Sequence, residues 1–339
     1  MNALDRLGLV KRNAAELIGE AEFAEKLEAN RPVSAYIGRA TTGPLHLGHV
    51  VSISKLLDLQ KAGIRTKILL ADIHAALDDQ KAKWNELDRR VEYTKKCIEL
   101  SINWKTPPEF VRGSDYQLEK EYVLDALKLA SLTTTERARR AASEVTRMRN
   151  PKVSELVYPI FQALDEQYLG ADMQVGGLDQ RHILVFAREC LPLIGYEKRA
   201  ELMMPLVPSM QGPKAKMSSS VAGSHIKVYD PPETVRSKMN RAYCPEGVVE
   251  ANFVLQLAKF VVFVEQDSFT VQRESRFGGP VTFDSYDQLE DSFSKKDLHP
   301  RDLKNAVSDY LVGRFAPVRE YFDRNADVLR ELGRDFLPG

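Results

Sequence analysis

The order of apolar and polar positions changes character along the chain. From about residue 32 to residue 206, short apolar runs of strand length alternate with segments of helical periodicity. This alternation is typical of a parallel sheet with helices on both faces. The predicted strands are 32–38, 66–71, 110–112, 173–176 and 202–206.

Helical periodicity dominates after residue 231, beyond a loop at 205–224 that is rich in Pro, Gly, Lys and Ser. We therefore predict a Rossmann-like α/β domain over residues 1–225 and a mainly helical domain over residues 226–339. Within the second domain the pattern predicts long helical stretches near 253–263 and 300–332 and one strand-like patch near 278–283.

Composition narrows the class of protein. The 339 residues, 43% of them hydrophobic, suffice for about two packed domains. Apolar runs stay below the roughly 18 residues that cross a bilayer, and the first residues lack the apolar core of a secretory signal, so we expect a cytoplasmic protein without a membrane partner. Cys97, Cys190 and Cys244 form neither a disulfide framework nor a CxxC metal site. Basic and acidic residues are equal in number, 48 each, so any nucleic-acid surface must be local.

The first candidate site is a strand, a glycine turn and two histidines. The strand ends at Gly38, and a helix is predicted to begin near His46, where free backbone N–H groups suit phosphate. Gly43 and Gly48 would let a nucleotide approach closely. His46 and His49, one helical turn apart, could donate hydrogen bonds to phosphates as charge develops. A purely structural turn, or a metal held by the two histidines, stays open at this point.

The second candidate site is the loop segment Lys-Ala-Lys-Met-Ser-Ser-Ser at 214–220. Lysine binds phosphate as a point charge, serines add donors, and a loop can close over a triphosphate. Taken alone, such a segment is usually a polar linker. However, His-Leu-Gly-His after the first strand and Lys-Met-Ser-Ser-Ser after the last stand in the order of the two signatures of class I aminoacyl-tRNA synthetases, which the sequence resembles.

A polar stripe along one predicted helix indicates which amino acid is the substrate. Tyr158, Gln162 and Asp165 share one side of the helix predicted near 152–169, which alone would suggest a solvated face. Together with Gly-Gly-Leu-Asp-Gln-Arg at 176–181 and with Tyr36, the stripe resembles the tyrosine pocket of archaeal and eukaryotic tyrosyl-tRNA synthetases. The resemblance implies that Tyr36 and Asp165 hydrogen-bond the substrate phenol. It also implies that the ammonium group is held by Tyr158, Gln162 and Gln180.

The resemblance further implies the reaction. The tyrosine carboxylate would attack the α-phosphate of ATP, giving tyrosyl-adenylate and pyrophosphate, and the tyrosyl group would pass to the 3′ end of tRNA(Tyr). Catalysis would rest on positioning and charge stabilisation by His46, His49 and Lys216, with Mg²⁺ carried on the phosphates and no structural metal in the protein. The implied ATP-binding residues are Gly38, Thr42, Gly43, Gly48, Gly177, Asp179, Lys214, Met217, Ser218 and Ser219. For Gly177 and Asp179 an alternative is a tight turn with Asp as a helix N-cap.

The nucleic-acid partner has its own candidate residues. The segment 137–152 is strongly basic, which predicts a phosphate-binding strip or merely a solvated face. By resemblance, Arg140 and Arg181 lie near the acceptor end of the tRNA. Phe277 and His299 would stack on an anticodon base and Asp302 would accept hydrogen bonds from a guanine, although His299 next to Pro300 could serve only the start of a helix. The family also implies a homodimer.

Two departures and two rivals accompany the resemblance. Leu47 stands where the first signature usually has isoleucine, and Ser219 stands where the second signature generally has another lysine. The final stretch, 325–339, has no counterpart in the resemblance. Tryptophanyl-tRNA synthetase and a non-catalytic RNA-binding relative are the alternative functions.

Overall fold

The computed structural model describes residues 1–29, 31–144, 150–213 and 225–339. The predicted phosphate-binding residues Lys214, Lys216, Met217, Ser218 and Ser219 lie outside the described residues. The chain divides into two compact units. The first unit comprises Met1–Thr42, Asp58–Lys95 and Thr106–Leu206, and the second comprises Gly43–Leu57, Lys96–Lys105 and Val207–Gly339. The boundary near residue 225 stays a prediction.

The first unit contains a six-stranded sheet in the order β1-β6-β5-β2-β3-β4. All neighbouring strands are parallel except β1, which pairs antiparallel with β6. The predicted α/β fold with a parallel sheet is thus confirmed. The strands are β1 Glu16–Ile18, β2 Ser34–Ala40, β3 Arg65–Ala71, β4 Glu109–Arg112, β5 Met173–Gly177 and β6 Ala200–Met204.

Helices follow most of the strands. Up to β6 they are α1 Ala3–Lys11, α2 Glu20–Glu28, α3 Leu47–Lys61, α4 Asp72–Leu77, α5 Leu87–Ser101, α6 Ser114–Gln117, α7 Lys120–Leu132, α8 Thr135–Ala142, α9 Val153–Tyr168 and α10 Arg181–Cys190. After β6 they are α11 Pro232–Arg241, α12 Phe253–Leu257, α13 Phe263–Glu265, α14 Tyr286–Ser294, α15 Pro300–Arg314, α16 Ala316–Arg324 and α17 Ala326–Leu332. None of the helices in the described part of the chain is both long and apolar enough to span a bilayer.

The strand order reverses between β2 and β5. Strands β3 and β4 extend the sheet on one side of β2, whereas β5 and β6 extend it on the other. In open parallel sheets ligands bind at such a reversal, beyond the carboxyl ends of the strands. Those ends are Ala40 in β2 and Gly177 in β5.

Helix α9 lies at the centre of the packing in the first unit. It packs against α7, α8 and α10. The shared core includes Tyr122, Leu129, Ile160, Leu164 and Phe186, all at most 4% exposed. Burying such side chains contributes roughly 1.5–3 kcal/mol each, so this core holds α9 and its polar stripe in one orientation.

The second unit is mainly helical, as predicted. Helices α11 and α15 pack together, and α12 continues through a π-helical turn, Ala258–Val262, into α13. The predicted strand-like patch corresponds to β8, Val281–Phe283, which pairs antiparallel with β7, Phe269–Val271.

Candidate active site

Asp165 is the centre of a buried polar cluster in the first unit. It lies on α9 with 1% of its surface exposed. Its Oδ1 accepts hydrogen bonds from Tyr116 Oη at 2.8 Å, Gln117 Nε2 at 2.7 Å and Tyr122 Oη at 2.9 Å. Burial raises the pKa of the Asp165 carboxyl group, while nearby His74 and these three donors oppose the increase. The cluster therefore fixes the carboxyl group and directs its second oxygen away from the donors.

Several polar atoms of this cluster lack partners. Among the residues that the structure describes, Tyr36 Oη, Asp165 Oδ2 and His74 Nε2 are buried without a hydrogen bond. His74 Nε2 lies 3.5 Å from Asp165 Oδ2. Since buried polar groups are nearly always hydrogen-bonded in folded proteins, these atoms indicate a site for a polar ligand group.

Tyr36 belongs to the same cluster. Its side chain is fully buried and packs with Leu69 and Ala71, and Tyr116 packs against this group. Burial raises the pKa of Tyr36 well above its ordinary value, and negative charge on Glu166 and Asp165 raises it further. The hydroxyl of Tyr36 is therefore neutral and can donate one hydrogen bond.

The remaining predicted tyrosine-binding residues also come together. Tyr158 and Gln162 are 7% and 9% exposed, so the polar stripe on α9 is not a solvated face. Gln162 Nε2 donates to Gln180 Oε1 at 3.2 Å. The ring of Tyr158 meets that of His74 edge-on, with centroids 4.7 Å apart. The structure thus places Tyr158, Gln162 and Gln180 in one group beside the Asp165 cluster.

The carboxyl end of β5 leads into a tight turn. A 3₁₀ turn, Leu178–Gln180, follows the strand, and α10 begins only at Arg181, with Gln180 as its N-cap residue and no side-chain cap. Asp179 is therefore not the N-cap, contrary to the alternative drawn from the sequence. The Asp179 side chain is exposed at the surface, yet desolvation by neighbouring atoms raises its pKa, against the effect of backbone N–H groups of the turn. A Cβ atom at Gly177 would overlap Asp179 Oδ1, so a larger residue here would displace the Asp179 side chain.

The loop that follows β2 is also fixed by a hydrogen bond to its backbone. Beyond the strand, the carbonyl of Thr42 accepts a hydrogen bond of 2.8 Å from Arg90 Nη1. Gly38, within the strand, has only one atom within 4 Å of the position of an added Cβ. The predicted ATP-binding positions Gly38 and Gly177 therefore lie in the two strands that flank the reversal of strand order.

The histidine pair lies in the second unit, at the start of α3 as predicted. His46 Nδ1 accepts a hydrogen bond from the Gly48 amide at 3.2 Å, and His49 Nδ1 accepts one from the His46 amide at 3.3 Å. In a neutral imidazole this leaves the proton on Nε2. The two ring centroids are 3.7 Å apart. Each neutral ring then presents Nε2–H as a hydrogen-bond donor, a group that can bind a phosphate oxygen.

A third histidine, which the sequence gave no reason to select, joins the pair. The His225 ring centroid lies 5.1 Å from that of His46. Burial lowers the pKa of His225, as do the positive charges of Lys238 and Lys227. The neutral form of His225 is therefore favoured near neutral pH.

The two arginines predicted to contact the tRNA acceptor end share one cleft in the first unit. Its volume is about 500 Å³, and it is lined by α8 and α10. Arg181 forms a bidentate ion pair with Glu16, at 2.8 and 2.9 Å. The cleft is lined by Thr134, Glu136, Arg137, Arg140, Ala141, Arg181, His182, Val185, Phe186 and Glu189.

The three predicted anticodon-binding residues share a second cleft, in the second unit. Phe277, His299 and Asp302 line a space of about 680 Å³, and Phe277 is 57% exposed. The Arg276 guanidinium lies 4.8 Å from the Phe277 ring centroid. His299 does start a helix, because its Nδ1 accepts a hydrogen bond from the Arg301 amide at 3.1 Å. In the neutral ring that bond leaves Nε2–H as a donor, so the local role and a recognition role are compatible.

Several residues of these sites were missed from the sequence. His74, Tyr116, Gln117 and Tyr122 surround Asp165, but they come from α4, α6 and α7 and share no local pattern. Only their burial and hydrogen bonds in the folded chain reveal them.

A doubly wound parallel sheet, with polar groups collected at its strand reversal, defines an α/β enzyme of the nucleotide-binding class. Comparison with known proteins agrees with this class. The family described as tRNA synthetases class I (W and Y) matches residues 28–316. A tyrosine–tRNA ligase from Archaeoglobus fulgidus is 44% identical over 313 residues, or 92% of this chain and 95% of that relative. The cytoplasmic tyrosine–tRNA ligase of Xenopus tropicalis is 41% identical over 336 residues, 98% of this chain and 63% of the relative.

A solved structure is similar as well. The crystal structure of tyrosyl-tRNA synthetase complexed with L-tyrosine from Archaeoglobus fulgidus superposes with a TM-score of 0.89 at 41% identity, and covers 94% of this chain and 99% of that one. The chain belongs to the class I tRNA synthetases and, within them, to the tyrosine–tRNA ligases. The resemblance stated from the two signatures and the tyrosine pocket is confirmed.

Proposed function

We propose that the chain activates L-tyrosine with ATP and transfers the tyrosyl group to the 3′ end of tRNA(Tyr). The observation that carries this proposal is the set of unpartnered buried atoms around Asp165, since Tyr36 Oη and Asp165 Oδ2 offer one donor and one acceptor. A substrate phenol satisfies both, donating to Asp165 and accepting from Tyr36. A phenyl ring satisfies neither and leaves both groups buried and unpaired.

The other pocket residues orient the substrate. Tyr158, Gln162 and Gln180 supply oxygens for the ammonium group of tyrosine, and the bond between the two glutamines fixes their side chains before substrate arrives. The rigid packing of α9 supports this preorganisation.

The first chemical step needs no protein base, because the tyrosine carboxylate is already ionised. Its oxygen attacks the α-phosphorus of ATP, the bond from that phosphorus to the oxygen bridging to the β-phosphate breaks, and pyrophosphate leaves. Mg²⁺ would be carried on the phosphates and would offset their charge. His46 and His49 donate from Nε2 to phosphate oxygens as charge develops, and Lys216 adds a cation. In the second step a ribose hydroxyl of the tRNA attacks the acyl carbon, and AMP leaves. Adenosine is held at Gly38, Gly177 and Asp179.

Recognition of tRNA(Tyr) uses two surfaces. Arg140 and Arg181 bind the acceptor end from the cleft beside α8 and α10. Phe277 stacks on an anticodon base, while His299 and Asp302 provide a donor and an acceptor for its edge.

We also propose a homodimer in the cytoplasm. Helix α7 exposes an apolar face, with Val123, Leu124 and Leu127 at 39%, 48% and 63% exposure. Contiguous apolar surface of this kind is typical of an interface between proteins. The dimer is tested by light scattering on Leu127→Glu, which is expected to be monomeric. The cytoplasmic name of the Xenopus tropicalis relative supports the location.

The experiment that tests the main proposal is ATP–pyrophosphate exchange with each amino acid separately. Exchange that depends on tyrosine supports it. Exchange that depends on tryptophan selects the tryptophanyl alternative, and the absence of any exchange favours a non-catalytic RNA-binding relative.

A further inference from the structure

Residues 334–339 bind back onto the segment that pairs with the histidine signature. This stretch lies beyond residues 28–316, which match the family, and it has no role in the function described above. It begins with a 3₁₀ turn, Arg334–Phe336, after α17 and Gly333. Phe336 is 3% exposed, so the turn is anchored by its own apolar side chain.

Lys227 makes the first connection. Its Nζ donates to the main-chain carbonyl of Asp335 at 2.6 Å and also to that of Leu337. Burial lowers the pKa of Lys227, and Asp230 opposes this effect. A lysine that is half withdrawn from water and bound by two carbonyls holds this stretch firmly in place.

Asp230 makes the second connection. It is fully buried, and its Oδ2 accepts from Lys238 Nζ at 2.6 Å and from the Lys227 amide at 3.0 Å. Its Oδ1 accepts from the Gly339 amide at 2.9 Å. Thr234 Oγ1 donates to the Gly339 carbonyl at 2.8 Å. A Cβ atom at Gly339 would lie 2.8 Å from Lys238 Nζ, so Gly339 packs closely against this lysine.

The same segment is bonded to the histidine signature by its backbone. His46 and Lys227 form an antiparallel bridge. The Leu47 amide donates to the Ile226 carbonyl at 3.0 Å, and the Val228 amide donates to the Leu45 carbonyl at 3.2 Å. Lys227 therefore lies opposite His46 in a bridge held by the backbone of its neighbours Ile226 and Val228, and its side chain binds residues 334–339.

We propose that residues 334–339 form a strap that positions His46 through Lys227 and Asp230. The inference rests on the proposed role of His46 in adenylate formation. Removing the strap exposes the Lys227 ammonium group and one oxygen of Asp230 to water and frees segment 225–230 to shift. A displacement near 1 Å is enough to reduce turnover by an order of magnitude or more. Tyr36 and Asp165 belong to the first unit and the strap to the second, so tyrosine binding is expected to remain.

The test compares two variants with the full chain. One ends at Gly333, and the other is Lys227→Met, which keeps the aliphatic stem and loses the ammonium group. Lys227→Arg retains a cation with donors and is expected to restore turnover. Arg330→Gln is the matched control, because Arg330 forms an exposed ion pair with Asp327 at 2.8 Å and lies outside the strap.

Two readouts are measured. The turnover number of tyrosine-dependent ATP–pyrophosphate exchange is expected to fall about tenfold in both variants, with an unchanged dissociation constant for tyrosine. Hydrogen exchange of the Leu47 and Val228 amides is expected to accelerate about tenfold or more, whereas amides of β3 keep their native rates. Native turnover in both variants overturns the proposal, as do native exchange rates of both amides.

The two readouts separate this proposal from the proposed function. If the full chain shows no tyrosine-dependent exchange, the proposed function fails, and the amide measurement alone decides whether the strap holds the bridge. If the shortened chain does not fold, Lys227→Met decides both readouts.

Discussion

Under the proposed function, the polar pocket around Asp165 and the cleft around Phe277 recognise their partners by opposite means. In the pocket, Tyr36, Asp165 and His74 are at most 2% exposed, and burial shifts the pKa of each. In the cleft, Phe277 is 57% exposed and His299 is open to solvent. A small neutral group such as a phenol is selected by desolvated atoms that must all be paired. A base attached to a polyanion is selected by stacking on a wet surface, and its affinity depends on salt.

The largest effect is expected from Asp165→Asn. Asparagine keeps the shape of aspartate, but its amide has one oxygen to accept hydrogen bonds. It cannot accept the three bonds from Tyr116, Gln117 and Tyr122 and also the bond from the substrate phenol, because its NH₂ group would face a donor. We expect kcat/KM for tyrosine in the exchange reaction to fall about 10²–10³-fold, because hydrogen bonds to charged groups contribute roughly 1.5–3 kcal/mol each and a buried group is left unpaired.

A control substitution at a second buried aspartate separates a loss of tyrosine recognition from a loss of stability. Asp125 on α7 is 6% exposed and accepts hydrogen bonds from Tyr168, at 3.0 Å, and Tyr196. Asp125→Asn should lower the free energy of unfolding and leave the KM for tyrosine unchanged. Equal losses in both variants would mean that Asp165 has only a structural role.

The contrast between pocket and cleft also governs what the sequence could predict. Strands β2 to β6 were predicted because each contains an apolar run. Of the three strands that have only three residues, β1 and β7 were missed and β8 was predicted as no more than a strand-like patch, because three residues are too few to give a clear alternation. Phe277, His299 and Asp302 were predicted from the family resemblance and share one cleft, and their binding role stays a prediction. The Asp165 donors were not found, because they depend on how α6 and α7 pack against α9. Local patterns therefore predict open sites better than the partners of a buried group.

The second largest effect is expected from Phe277→Ala. Stacking of a base on an aromatic ring contributes roughly 1–3 kcal/mol, so the KM for tRNA in aminoacylation should rise about tenfold. Tyrosine-dependent ATP–pyrophosphate exchange in the absence of tRNA should keep its native rate. Tyr286→Phe is a control for changes to an aromatic residue in the same unit. A change in exchange without tRNA would contradict the assignment of Phe277 to the tRNA.

A smaller effect is expected from Arg181→Gln. Arg181 is exposed and forms an ion pair with Glu16, so replacing it removes at most one contact with a phosphate group of the tRNA. We expect a rise of about threefold in the KM for tRNA at low salt and a shallower dependence of that KM on salt. Glu16→Gln, which frees the guanidinium, should not weaken tRNA binding. If both variants show the same salt dependence as the native chain, Arg181 does not contact phosphate.

The smallest effect on tyrosine recognition is expected from Glu166→Gln, next to Asp165 on α9. Tyr36, Gln174 and Glu201 lie side by side on β2, β5 and β6, all at most 1% exposed, and the Glu166 carboxyl group faces that of Glu201. Burial raises the pKa of Glu166 to about 8, against the effect of Arg199 and Arg188. Burial also raises the pKa of Glu201, and the negative charge of Asp165 raises the pKa of Glu166 further.

The sign of the pH dependence follows from these shifts. The folded pKa of Glu166 lies above the ordinary value of 4.5, so the folded chain binds the extra proton. The associated contribution to stability is complete below pH 4.5 and is lost as the pH rises towards about 8. Glutamine carries no proton to lose, so the free energy of unfolding of Glu166→Gln, measured in urea at pH 5, 7 and 9, should fall less with rising pH than that of the native chain. The exposed substitution Glu136→Gln controls for the loss of one negative charge. In Glu166→Gln, kcat/KM for tyrosine at pH 7 should change by less than about twofold, because neither Tyr36 Oη nor Asp165 Oδ2 is hydrogen-bonded to Glu166. A parallel pH dependence in Glu166→Gln and the native chain would mean that the proton resides elsewhere.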